Sequence, residues 1–137
     1  MAAGAIAGGF AKPELIAGRW ILANAEGKPE TIDMAPCGEK WCGIEVDASG
    51  KCGRVVFRLT AGAPDKQGAQ FIGQYSAAEG TEPYAIGASL WEREGKVTMS
   101  ASGHTGGLFQ PYRRSYPLRM MLSREGDATC KADAKVS

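Results

Sequence analysis

"GRVVFRLT", residues 53–60, sets Val55, Phe57 and Leu59 at every second position, with Arg54, Val56 and Arg58 between them. Side chains along a strand point alternately to its two faces, so a stretch with this period can bury one side and wet the other. The period recurs in both directions. Upstream, Ile32 and Met34 alternate with Thr31 and Asp33 in "TIDM", and Ile44 and Val46 alternate with Glu45 and Asp47 in "GIEVDA". Downstream, Tyr84, Ile86, Ala88 and Leu90 share a face, as do Val97, Met99 and Ala101, and then Leu118, Met120 and Leu122. The segments between them, "AEGKPE", "DASGKCG", "EREGK" and "REGD", carry glycine at the short spacing of hairpin turns. No stretch holds a helical period over three turns, and the best helical candidates, residues 13–17 and 64–69, are single turns.

Counting these stretches gives about eight strands, at residues 18–24, 30–37, 41–47, 53–60, 70–76, 83–92, 96–102 and 115–123. Many short alternating strands without long helices point to a sandwich or a barrel. Short turns suit an up-and-down order, and closure removes exposed edges. The expected fold class is therefore all-β: a single antiparallel, eight-stranded, lipocalin-like barrel with little helix. A chain of 137 residues fits one such domain. It is assigned to residues 13–137. Residues 1–12, small and apolar up to Ala11, are set aside as a flexible N-terminal segment or signal-peptide remnant. Gly9 and Ala11 form the small-x-small pattern of an export cleavage site. At 44% apolar and 23% charged the composition is globular. A net charge of +1 gives no general attraction to nucleic acid or to an anionic membrane. No apolar run approaches the roughly 20 residues of a transmembrane helix.

Cys37, Cys42, Cys52 and Cys130 are an even number in a small chain, which favours disulfides and an oxidising compartment, periplasmic or secreted. Four cysteines allow three pairings, and their number alone does not choose among them. In "CGEKWCG", residues 37–43, Cys37 ends one expected strand and Cys42 opens the next. Opposed positions at a hairpin base lie about 5.5 Å apart at Cα, within disulfide reach. That pairing leaves Cys52 for Cys130. Structural zinc would need four close ligands, yet Cys52 and Cys130 lie far apart in sequence and His104 is the one histidine. A redox dithiol usually has Cys-x-x-Cys spacing at a helix N-terminus, tighter than this.

The stretch 16–46, with Gly18 and Trp20, then Cys37-Gly38, then Cys42-Gly43-Ile44, resembles the DUF2147 family of small bacterial exported proteins of unknown function. The later half carries "FIGQYSAAEG" and "LSREGDATC", where that family has an Asp-Pro…Gly-x-x-Tyr segment and a Trp-x-Arg strand. The resemblance implies a lipocalin-like barrel and periplasmic residence, with no established activity. "IAGRWILANA" and "LSREG" also resemble the opening and closing strands of bacterial periplasmic inhibitors of metalloproteases, although the Cys37–Cys42 spacing does not suit that family. Those inhibitors act through an N-terminal arm that enters the protease cleft, a role open here to residues 1–12.

Nothing in the chain marks a catalytic residue, a cofactor site or a metal site. His104 in "SASGHTGGLF" lacks the partners of a Ser/His/Asp or Cys/His arrangement. Glu79, Glu82, Glu92 and Glu94 have no spacing that predicts acid–base work. The expectation is a non-enzymatic barrel. Met34, Phe57, Tyr75, Tyr84, Met99 and Met120 are its candidate cavity lining, for a small apolar ligand, against the simpler outcome of a filled core. Tyr112, Arg113, Arg114 and Tyr116 in "QPYRRSYPLR" are a candidate surface for a protein or anionic partner, against the simpler outcome of a solvated strand face. An open end lined by the inward set would mark a ligand binder. A filled barrel with an exposed N-terminal arm would mark an inhibitor.

Overall fold

The structure, a computed structural model, describes residues 9–10, 13–23, 29–63, 68–80, 82–105 and 117–131. Strand β1 (Gly9–Phe10) and a 3-10 turn (Pro13–Ile16) precede β2 (Gly18–Ala23), β3 (Pro29–Cys37), β4 (Lys40–Val46), β5 (Cys52–Ala61), β6 (Ala69–Tyr75), β7 (Tyr84–Arg93), β8 (Lys96–His104) and β9 (Pro117–Gly126). Each of β2 to β8 pairs antiparallel with the strand that follows it. β9 then pairs back on β2, with Leu122 opposite Leu22. The eight strands close an up-and-down barrel, and their bounds fall within three residues of those expected from alternation. The helical turn at residues 13–17 is present as the 3-10 turn; residues 64–67, most of the other candidate, lie outside the described residues.

The turns follow the backbone needs of two-residue hairpins. Gly38 at φ 69° opens the β3–β4 turn, and Glu94 at φ 52° with Gly95 at φ 80° makes the β7–β8 turn. Asp47 caps the β4–β5 loop, its Oδ1 accepting the Ser49 and Lys51 N–H groups, each at 2.9 Å. These hydrogen bonds, the Ser49 hydroxyl's first, hold the Asp47 carboxyl below its ordinary pKa.

Inside, Trp20, Met34, Phe57, Leu59, Phe71, Leu90, Met99 and Leu122 are fully buried and in contact with one another through one core. One end is closed by the 3-10 turn. Ile16 is buried in the core there, and its carbonyl accepts the Trp20 Nε1–H at 2.9 Å. Arg124 of β9 ties this end shut, donating Nε–H and Nη2–H to the Ala17 carbonyl at 3.1 and 2.8 Å. Gly18 makes room for that guanidinium: a Cβ at this position would stand 2.5 Å from Arg124 Nε. Gly-x-Trp thus serves two contacts, space for Arg124 and an indole anchored on the turn.

Two sequence expectations are amended. Gly9–Phe10, in the stretch set aside from the fold, pair with Glu92 and Trp91 along the edge of β7 that β6 leaves beyond Ala69. Ile44 and Val46 do not face the interior. They share the outer face with Asp33 and Thr31, whereas Gly43 and Glu45 share the inner face with Met34 and Ile32. Val55 lies outside with Ile44, Val46 and Cys130, because a bulge between Ile44–Val55 and Gly43–Phe57 inserts Val56 and sends both Val56 and Phe57 inward.

Candidate functional site

Among the described residues, the strands leave a mouth at the end opposite the 3-10 turn. A cavity of about 690 Å³ opens there, between the start of β3, the β4–β5 hairpin and the end of β6. Its apolar floor is Ile32, Val56 and Tyr75, and its polar wall includes Glu30, Glu45 and Arg54. Glu30 and Glu45 reach the mouth because their registers place them inward, next to Leu22 and Ile32 on neighbouring strands. Gly53 gives Glu45 its space, since a Cβ there would lie 2.7 Å from Glu45 Cγ. Arg54 spans from β5 to the β6–β7 connection, donating Nη1–H to Ser76 Oγ and Nη2–H to the Ser76 carbonyl, both at 3.2 Å. Its Nε stands 3.6 Å from Glu45 Oε1. Tyr75 packs between Phe57 and Tyr84, at ring-centroid distances of 4.7 and 6.3 Å. Burial, then the negative charge of Glu30, pushes the Tyr75 phenol above its ordinary pKa. A tyrosine phenol is protonated at neutral pH without any shift, and the shift extends its range as a donor to more alkaline pH.

The candidate lining set is inward-facing, but most of it is core. Met34, Phe57, Met99 and Met120 are buried in the packed middle of the barrel, and Tyr84 packs against it half-buried. Tyr75 alone of the six also lines the cavity. The site missed by alternation is the polar wall, whose members sit at strand ends where the pattern gives way to loops. Tyr112, Arg113, Arg114 and Tyr116 lie outside the described residues. His104 is exposed at the end of β8, its Nδ1 3.2 Å from the Thr105 carbonyl. Trp91 faces outward, 39% exposed, and Trp41 packs half-buried against the core.

All four cysteines form disulfides: Cys37–Cys42 with Cα atoms 5.8 Å apart and Cys52–Cys130 at 5.7 Å. In this oxidised form none of the four is a free thiol. Cys37–Cys42 is diagonal rather than directly opposed, since Cys37 faces Lys40 and Cys42 faces Ala35 across the ladder. Cys52–Cys130 draws the tail after β9, residues 127–131, across the outer face of β2 to β5. Beneath it runs the row Arg19, Asp33, Ile44 and Val55, one residue from each strand.

Asp33 organises this strap, and nothing in the alternation pattern singled it out. It is fully buried, and its Oδ1 and Oδ2 accept Arg19 Nε–H and Nη2–H at 2.8 and 3.0 Å. Oδ2 also accepts the backbone N–H groups of Thr129 and Cys130, each at 2.9 Å. Burial alone would raise the Asp33 pKa. The hydrogen bonds from Arg19, Cys130 and Thr129, with the guanidinium charge, outweigh it and hold the carboxyl below its ordinary value.

No family model matches this chain, and neither a curated protein nor a solved structure does. Among the described residues no helix is long and apolar enough to cross a membrane. The two disulfides are compatible with an oxidising compartment.

Proposed function

We propose that this protein is an exported, non-enzymatic binding barrel whose mouth takes a small amphipathic ligand. The observation that carries this reading is the cavity of about 690 Å³, a volume in the range of small-molecule sites. An apolar portion of the ligand rests on Ile32, Val56 and Tyr75, and a polar group meets Glu30, Glu45, Arg54 and the Tyr75 hydroxyl. This moves the ligand from the barrel centre, which side chains fill, to its open end, and it replaces a purely apolar ligand by one with a polar head. Periplasmic residence and kinship with the DUF2147 family belong to the same proposal, supported by the stapled Cys37–Cys42 hairpin and the Gly18–Trp20 opening. A metalloprotease-inhibitor role would fall to the N-terminal arm, residues 1–12, of which 1–8 and 11–12 lie outside the described residues.

The test is a fluorescence titration with a dansylated alkyl amine and a dansylated alkyl acid, on the wild-type protein and on Val56→Trp, which fills the cavity floor. The expected outcome is saturable binding of at least one probe at micromolar concentration, weakened about tenfold or more by Val56→Trp with the far-ultraviolet spectrum retained, as the loss of a pocket implies. Absence of saturable binding up to millimolar probe, or equal binding by the variant, overturns the reading.

A further inference from the structure

The two disulfides pose different assembly problems. Cys37 and Cys42 are 5 positions apart in sequence, and Cys52 and Cys130 are 78 apart. Cys42 and Cys52, which do not pair, are separated by 52 − 42 = 10 positions. Loop-closure statistics fall as about the −3/2 power of length, so in an unfolded chain Cys42 meets Cys52 about twentyfold more often than Cys130 does. A Cys42–Cys52 bond would leave Cys37 to pair with Cys130 and would break the β4–β5 register, in which Cys42 faces Arg58 and Cys52 faces Val46. The same statistics favour Cys37–Cys42 about threefold over Cys42–Cys52, so the wrong bond is a competitor rather than the default, and a contact that holds Cys130 beside Cys52 suppresses it.

Asp33 is built to do so. Its carboxylate is held from the barrel side by the two Arg19 donors, and its remaining acceptor capacity on Oδ2 is given to consecutive backbone N–H groups of the tail, one of which belongs to Cys130 itself. Thr129 adds a second bond to the same pair, its Oγ1 accepting Arg19 Nη2–H at 2.9 Å. None of these contacts involves sulfur, so breaking the S–S bond removes none of them directly. The apolar row of Ile44, Val46 and Val55 closes the other side of Cys130.

We infer that Asp33 is the positioning residue for the Cys52–Cys130 disulfide, which makes the C-terminal strap a redox-sensitive latch that opens chemically without undocking. Cys52 is exposed and lies in the cavity wall, whereas Cys37 and Cys42 are both buried, so a thiol reductant reaches the Cys52 side first. A glutathione thiolate attacks Cys52 Sγ, the S–S bond breaks, and Cys130 leaves as a thiolate that takes up a proton. A second glutathione thiolate then attacks the mixed disulfide, releasing Cys52 as its thiol and one molecule of glutathione disulfide. With the strap still docked, Cys130 remains beside Cys52, and reoxidation by glutathione disulfide returns the same pair. Val46 and Cys52 line the cavity while facing or joining the strap, so the latch adjoins the mouth whether or not the mouth binds a ligand.

The experiment equilibrates the full chain with reduced and oxidised glutathione and reads each disulfide by alkylation and peptide mass. It is run on the wild type, on Asp33→Asn and on Thr129→Pro, which deletes the N–H and hydroxyl contacts of Thr129 and leaves the Asp33–Arg19 pair and the Cys130 N–H donor in place. The effective concentration of Cys52–Cys130 is expected to fall roughly tenfold or more in Asp33→Asn and by a smaller factor in Thr129→Pro, as the loss of hydrogen bonds to a charged group implies. Cys37–Cys42 is expected to stay within about twofold, because none of its contacts changes. Amide exchange on the fully reduced wild type should still protect the Thr129 and Cys130 N–H groups. Equal falls in both disulfides, no fall at Cys52–Cys130 in either variant, or loss of that protection on reduction overturns the inference.

Discussion

Asp33 stands where a strand pattern predicts a wet position, opposite Arg19 on the outer face, and yet it is fully buried. Alternation tells which face a side chain takes and says nothing of what later covers that face. The cover comes from the tail, some 96 residues downstream, where the chain has left its last strand. Removing such a carboxylate strands both Arg19 and two tail N–H groups, and Asp33→Ala should destabilise the fold by about 3 kcal/mol in urea unfolding, typical of breaking one side of a buried ion pair. The pH dependence has a definite sign. The folded pKa lies below the unfolded one, so the stabilisation from Asp33 is complete above the unfolded carboxylate pKa of about 3.9 and fades as pH falls from there through the folded value. The acid limb of a stability profile should therefore flatten in Asp33→Asn, whose side chain does not titrate. An unchanged limb would show that other carboxylates set it. Arg124 and Gly18 make the complementary case: Gly-x-Trp was visible in the sequence, whereas its partner was not, since only the closure of β9 on β2 brings them together.

At the scale of the element, the eight strands were legible because their apolar residues alternate and glycine-bearing sequence separates them. The phase along β4 and β5 was not. In "GIEVDA" the apolar residues mark the outer face and Glu45 the inner one, an inversion that hydrophobicity cannot reveal because the tail covers the outer face here while the inner face opens to the mouth. The bulge at Val56 then shifts β5 by one residue, so that Val55 and Phe57 part company although they sit two positions apart. The β7–β8 turn offers a direct test of the local chemistry. Glu94 adopts φ 52°, a left-handed conformation that costs an ordinary L-residue energy and that Asn tolerates well. Glu94→Asn should raise stability by about 0.5 kcal/mol, seen as a higher thermal midpoint with an unchanged denaturant slope.

For the molecule as a whole, the two disulfides should contribute unequally. In the chain-entropy model the loop closed by Cys37–Cys42 is worth about 2 kcal/mol and the one closed by Cys52–Cys130 about 4.5 kcal/mol. Replacing the latter pair by Ala should therefore lower the unfolding free energy about twice as much as replacing the former. Equal losses would mean that the unfolded chain is already restrained across the longer loop. The pairing itself was legible in the sequence from the hairpin around residues 37–42. The mouth was less so, because its chemistry is assembled from strand ends that alternate poorly and lie distant in sequence, Glu30, Glu45, Arg54 and Tyr75 among them.

The ring is sealed by its first and last strands, and Arg124 reaches the Ala17 carbonyl across 107 positions of chain. A ribosome adding about 5–20 residues each second needs about 5–20 s to make that interval. Throughout it β2 has one edge with no partner yet synthesised, so the cylinder cannot close while the chain is being made. The nascent chain is therefore an unclosed sheet however fast it is made, and sealing is left to the moment after the last strand is released.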